Sequence, residues 1–254
     1  MARTERLKAH QIYDTVKTEA EEELRRGSAS LAFSGLAAGF VLGLSAIGQA
    51  GMTAAGGSNP SQAFVALLYP IGFVAVITGR AQLFTENTLY PVVPILEHPH
   101  RIGQLLRLWA IVLLANVVGA LVFALLAVKT SALASDIESA VVDTGHELLA
   151  QGNVHLFWSA VVAGVIIAYV AWLVSAADST VARAVLTWFL IYLIGLGEFV
   201  HSIAGSTETL SAVLAGAGSW AGYGRWIAVA VAGNVVGGTG IVALVNYGQV
   251  RGSG

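Results

Sequence analysis

No cysteine occurs in the 254 residues, which excludes disulfides, thiolate metal sites, iron–sulfur clusters and cysteine nucleophiles. Charge is scarce as well: Asp, Glu, Lys and Arg make up 11% of the chain, under half of the roughly 25% of a soluble domain. So few charges leave too little polar surface to face water on every side. With 56% hydrophobic residues and a mean hydropathy of +0.74, the chain reads as a membrane protein. A basic excess is missing too. The net charge of −2, a pI near 6.3 and the lack of any basic stripe with interleaved aromatics exclude a nucleic-acid partner. Residues 1–27 are highly charged and hold no apolar h-region, so no cleaved signal peptide is expected and the first span acts as its own insertion signal. There is no Gly-x-Ser-x-Gly elbow, no His-Glu-x-x-His zinc pair and no phosphate-cradling loop. The reading is therefore no enzyme, no metal and no cofactor, with an intramembrane hydrolase at His201-Ser202 as a remote alternative.

What is present is apolar length. A transmembrane helix needs roughly 20 apolar residues, and such runs fall at about 28–50, 61–78, 104–128, 153–175, 183–196 and 226–248. Six spans are predicted. The second and fifth are short, and each runs into a polar, Gly-containing interruption, 79–87 and 197–205, followed by more apolar sequence. Both are read as broken helices.

Lys and Arg in the short flanks set the orientation. With the N-terminus cytoplasmic, Arg3, Arg6, Lys8, Lys17, Arg25, Arg26, Arg101, Arg107, Arg183 and Arg251 lie inside, Lys129 and Arg225 outside, and Arg80 at membrane depth. Both termini are then cytoplasmic, and the acidic 129–152 loop with Asp136, Glu138, Asp143 and Glu147 is external. Ahead of the first span, Tyr13, Val16, Ala20 and Leu24 recur at spacings of 3, 4 and 4, the stripe of an amphipathic helix along the cytoplasmic face. It is either a solvated surface helix or a gate at the inner mouth. The division expected is 1–27 for this helix and 28–254 for the membrane domain.

Ala115-Asn116-Val117-Val118-Gly119 and Gly233-Asn234-Val235-Val236-Gly237 stand 118 positions apart (234 − 116). The interruptions nearly share that offset, since Gly79, Gln82 and Thr85 plus 116 give Gly195, Glu198 and His201. Duplicated halves of three spans, about 28–128 and 153–248, enter the membrane from opposite sides, giving an inverted-topology repeat. Two discontinuous helices then meet near the midplane and line a pathway. Gly35, Gly39 and Gly43 on the first span and Gly233 and Gly237 on the last form small-residue ridges for helix contacts.

On the second interruption, His201 is an ionisable group in the membrane zone and so a candidate selectivity or proton-relay group; a hydrogen bond to a neighbouring helix is its structural reading. Thr85 can donate to or accept from a permeating group, or cap the short helix beginning near Thr88. Glu86 and Asn87 could cap that half-helix, capping being the reading for Asn87 while Glu86 stays open. Glu198 and Glu208 flank His201; an ion pair between Arg80 and at least one of them is expected.

At these residues the chain resembles the formate/nitrite transporter family. Leu83-Phe84-Thr85 is similar to its Leu-Phe-Thr signature, and His201-Ser202-Ile203-Ala204 to its His-Ser-Val/Ile-Ala signature. The strings 82–88, 102–109 and 232–239 look most like the YfdC-like branch. The resemblance covers nearly the whole chain and implies an aquaporin-like six-helix protomer, five in a ring, each passing small monovalent anions such as formate or nitrite together with a proton. It also implies that Thr85 and Phe84 lie on the loop, that His201 is the central protonatable residue, and that Tyr69 and Ile194 stand at or near two hydrophobic constrictions. Gly205 and Gly164 replace two asparagines of the family pattern, and no lysine stands in 153–175 or just before it. Fewer donors and the acids Glu86, Glu198 and Glu208 keep a pore for ammonia, amines or another small neutral or cationic solute open as the alternative. The expected partners are a small solute, protons, the lipid bilayer of the inner membrane and further copies of the chain.

Overall fold

The computed structural model describes residues 7–57 and 59–251; Arg3, Arg6 and the stretch 252–254 lie outside them. Every regular element among the described residues is helical. In chain order these include α1 (Ala9–Arg25), α2 (Ser28–Ala55), α3 (Gln62–Thr78), α4 (Val92–Glu97), α5 (Pro99–Lys129), α6 (Ser135–Ala150), α7 (Asn153–Ser175), α8 (Thr180–Leu196), α9 (Ala204–Ala215) and α10 (Trp220–Val250). Four of them, α2, α5, α7 and α10, are long and apolar enough to cross a membrane, whereas α3 and α8 are shorter apolar helices that end at breaks. Ser61, Ser179 and Ser219 start α3, α8 and α10 by accepting backbone N–H groups of Phe64, Ala182 and Gly222.

The buried face of α1 is Tyr13, Val16, Ala20 and Leu24, the stripe its spacing predicts. Polar contacts lock the helix over the termini side of the bundle: Lys17 pairs with Glu97, Arg101 Nη2 donates to Glu21 Oε2 at 2.9 Å, and Arg80 Nη2 to Glu19 Oε1 at 3.3 Å. The acidic 129–152 loop is largely the helix α6, whose Val141 and Gly145 are buried. Its signal is the apolar spacing of Ile137, Val141 and Leu148, partly masked by the acids between them.

Small residues bring the long helices together in pairs within the chain. A Cβ on Gly39 of α2 would stand 2.0 Å from the Asn116 carbonyl oxygen of α5, and one on Gly164 of α7 would stand 2.3 Å from that of Asn234 on α10. Only glycine permits such approaches.

These contacts place two asparagines where they can hold the breaks. Asn116 Oδ1 accepts from Phe84 N at 2.8 Å while its Nδ2 donates to Gln82 O and Gly35 O. Asn234 Oδ1 accepts from Ser202 N at 2.9 Å while its Nδ2 donates to Val200 O and Ala160 O. Gln82 N donates to Ser34 Oγ and Val200 N to Ser159 Oγ, each at 3.1 Å. Ahead of these bonds α3 and α8 both end on a non-glycine residue at positive φ, Arg80 (55°) and Glu198 (52°). The recurrence runs at 118 positions (198 − 80), which corrects the offset of 116 for the interruptions: Glu198 answers to Arg80, not to Gln82. Similar side chains suggested the shorter offset, but backbone hydrogen bonds follow the turn.

Candidate functional site

The two breaks touch at one buried polar contact: Thr85 Oγ1 lies 2.7 Å from His201 Nε2. Ala204 N donates to His201 Nδ1 at 3.1 Å, so Nδ1 is an acceptor. In a neutral imidazole the hydrogen then sits on Nε2 and is donated to Thr85. Thr85 is fully buried and makes no capping bond; its hydroxyl serves His201, which removes the capping reading. Above the imidazole the ring of Phe73 stands edge-on at 4.8 Å, followed by Tyr69 one turn earlier, 5.5 Å from Phe73.

Cavities lie on either side of this contact. On the face away from the termini, a cavity of about 510 Å³ is lined by Tyr69, Ile194, Glu198, His201, Glu208 and Trp226, with Asp136, Asp143 and Glu147 of α6. On the termini side a smaller one, about 80 Å³, is lined by Glu19, Glu23, Arg80, Gln82, Leu83, Glu86, Asn87, Tyr90 and Arg183. Thr85 lines neither.

The residues singled out in the sequence thus divide. Tyr69, Ile194, His201, Glu198 and Glu208 share the larger cavity, and Glu86 and Asn87 border the smaller. Phe84 lines neither: its N–H is held by Asn116 and its ring packs against Trp109 at 5.8 Å. The side chain of Asn87 does not cap a helix; its Nδ2 donates to Gln82 Oε1 at 3.0 Å, and its carbonyl accepts from Trp109 Nε1. Arg80 is corrected most. Its side chain is 67% exposed and pairs with Glu19, not with Glu198 or Glu208. The breaks open to opposite faces, so Arg80 and those acids belong to different cavities.

Two contributors escape sequence reasoning. Phe73 lies on the face of α3 that carries Tyr69, a four-residue spacing that could have found it. Trp226 fills the space beside Gly205, where a Cβ would meet its ring at 2.7 Å, so glycine there is a packing requirement. Gly164 has the same explanation through Asn234.

A family model described as formate/nitrite transporter matches residues 10–248. The chain belongs to the formate/nitrite transporter family. It is therefore a membrane transporter or channel protein, not an enzyme. Inner membrane protein YfdC of Escherichia coli (strain K12) is 32% identical over 248 residues, covering 96% of this chain and 79% of that protein. A probable formate transporter of Methanothermobacter thermautotrophicus is 29% identical over 86% of this chain and 84% of its own length. Among solved structures, an FNT family ion channel has a TM-score of 0.84 at 20% identity, over 94% of this chain and 99% of that one. A pentameric formate channel with formate bound has a TM-score of 0.67 at 15% identity, over 91% and 97%. Both share the fold.

Proposed function

We propose that the protein is a channel or proton-linked transporter for small monovalent weak-acid anions of the formate and nitrite kind. The observation that carries this is the Thr85–His201 contact, a single buried polar pair between two cavities opening to opposite faces. A charge without water at this depth is expensive, so the solute crosses as its neutral acid. Its oxygen accepts the Nε2–H of His201 as Thr85, on non-helical backbone, gives way. Between the carboxylate-lined cavity and the imidazole, Phe73, Tyr69 and Ile194 form an apolar collar that holds back hydrated ions.

The wider architecture follows on the same reading. Six spans are formed by α2, α3 with α4, α5, α7, α8 with α9, and α10; the halves 28–128 and 153–248 are an inverted repeat, supported by bonds recurring at 118 positions. The segment 1–27, with α1 at its centre, is the cytoplasmic part and 28–254 the membrane domain, with both termini cytoplasmic in the inner membrane. Five copies form the ring; chemical crosslinking in detergent that stops at dimers or tetramers would remove the pentamer.

Stopped-flow uptake of formate and nitrite into proteoliposomes at two pH values tests the function. Flux should rise as pH falls and drop at least about tenfold in His201→Leu, a loss of about 1.4 kcal/mol of barrier stabilisation. Thr85→Val serves if the histidine variant does not fold. Unchanged flux in a folded variant, or flux of methylammonium alone, overturns the proposal.

A further inference from the structure

We propose that the larger cavity binds a small ammonium-type cation, held by the carboxylate of Glu208 against the rings of Trp226 and Tyr69. This goes beyond the weak-acid reading and does not depend on it.

Charge gives the first argument. Five carboxylates line the cavity and no Lys or Arg does. The cations of this face are engaged elsewhere: Lys129 Nζ donates to Leu214 O at 2.7 Å, and Arg225 Nη1 to Gln151 O at 2.9 Å and Asn153 Oδ1 at 2.6 Å. Such a field in a confined space with low-dielectric walls concentrates cations.

Glu208 supplies the second, independent argument. Unlike the exposed acids of α6, it is only 5% exposed, two turns along α9 from His201, and its side chain makes no hydrogen bond or ion pair among the described residues. A buried carboxylate is held by a partner. Here it borders an open cavity, so the geometry leaves the partner to a ligand with N–H donors. The position of Glu208 is braced, because α6 passes so close that a Cβ on Gly145 would stand 2.0 Å from its carbonyl oxygen.

The remaining walls select the kind of cation. Trp226 and Tyr69, both buried, border the same space as Glu208, and aromatic rings beside a carboxylate suit an organic ammonium group. Among the described residues no three His, Asp or Glu side chains come close enough together to hold a metal ion. At about 510 Å³ the cavity has room for an alkylammonium group. Since His201 lies in its lining, a bound cation would stand on the route of any solute entering from that face.

Isothermal titration of the purified full-length protein in detergent, with methylammonium chloride against sodium chloride at equal ionic strength, tests this. Saturable heat with methylammonium only, weakened at least about tenfold in Glu208→Gln, supports the site. Should that variant fail to fold, the exposed pair Asp143→Asn with Glu147→Gln decides, and a several-fold weakening is expected. No saturable heat, equal heat with sodium, or unchanged binding in a folded Glu208→Gln or, failing that, in the α6 pair overturns it. Formate flux without methylammonium binding removes this inference alone; methylammonium binding without formate or nitrite flux removes only the weak-acid reading.

Discussion

Replacing Asn116 by Leu should loosen the break that carries Thr85 and leave the other intact. Asn116 is fully buried, and three hydrogen bonds of 2.7 to 2.9 Å end on its amide. Leu is close in size, so the change removes polarity rather than volume. Gly35 O belongs to α2 and keeps its helical environment, but Phe84 N–H and Gln82 O lie in non-helical backbone and lose the partners that hold them. A buried polar group left unsatisfied costs about 1–3 kcal/mol, so the two together cost about 2–6 kcal/mol. Local opening of residues 81–88 should then be at least about thirtyfold more frequent. Hydrogen–deuterium exchange of the detergent-solubilised protein reads this directly. Exchange should rise over 81–88 in Asn116→Leu and over 199–206 in Asn234→Leu, each variant sparing the other break. Unchanged exchange in the corresponding segment, or equal loosening of both, would refute the reasoning.

Other consequences are as open to measurement. Gly39→Ala sets a methyl 2.0 Å from the Asn116 carbonyl and should abolish monodisperse protein on size exclusion, whereas Gly103→Ala, with open space around it, should be neutral or stabilising by up to about 1 kcal/mol. Phe73→Ala removes the fully buried ring over the imidazole, so stability should fall by about 3–5 kcal/mol, and in the surviving fraction a liposome assay should find less discrimination against larger anions. On α1, the hydrogen bonds from Arg101, together with the charges of Arg101, Arg25 and Lys17, hold the Glu21 carboxyl below its ordinary value of 4.5 against the opposing effect of burial. Its contribution is thus present above that value and lost as pH falls through the lower folded one. Thermal unfolding should show acid destabilisation that flattens in Glu21→Gln; an unaltered pH profile would argue against the pair.

Local periodicity made part of this structure legible. Tyr13, Val16, Ala20 and Leu24 share one helical face, so their spacing alone fixes the buried side of α1. The Gly79 and Gly197 interruptions mark where α3 and α8 stop. Partners across the fold were not legible, because charge lets Arg80 choose among several acids and only the opposite opening of the two breaks selects Glu19. The same holds for Gly164 and Gly205. Each reads as a missing polar group in the chain, while in three dimensions the space is already taken by the Asn234 backbone or the Trp226 ring.

The two breaks are held alike and lined differently. Asn116 and Asn234 spend their side chains on backbone groups, as do Ser34 and Ser159, so neither pair is free to vary without opening its loop. The side chains of Glu86, Glu198 and Glu208, which reach the cavities, carry no such duty among the described residues. Positions 118 apart differ there: Leu83 stands against His201 (201 − 83), Tyr90 against Glu208 (208 − 90), and Arg80 against Glu198. Each exchange puts an ionisable group on the side of the larger cavity, and in the third the cationic member lies on the side of the smaller. On the proposed function, a solute approaching from the termini would meet mixed charge and then Leu83, and one approaching from the other face would meet carboxylates and His201 first. Discrimination between charged and neutral solutes would, on that function, fall on the larger-cavity side of the Thr85–His201 contact.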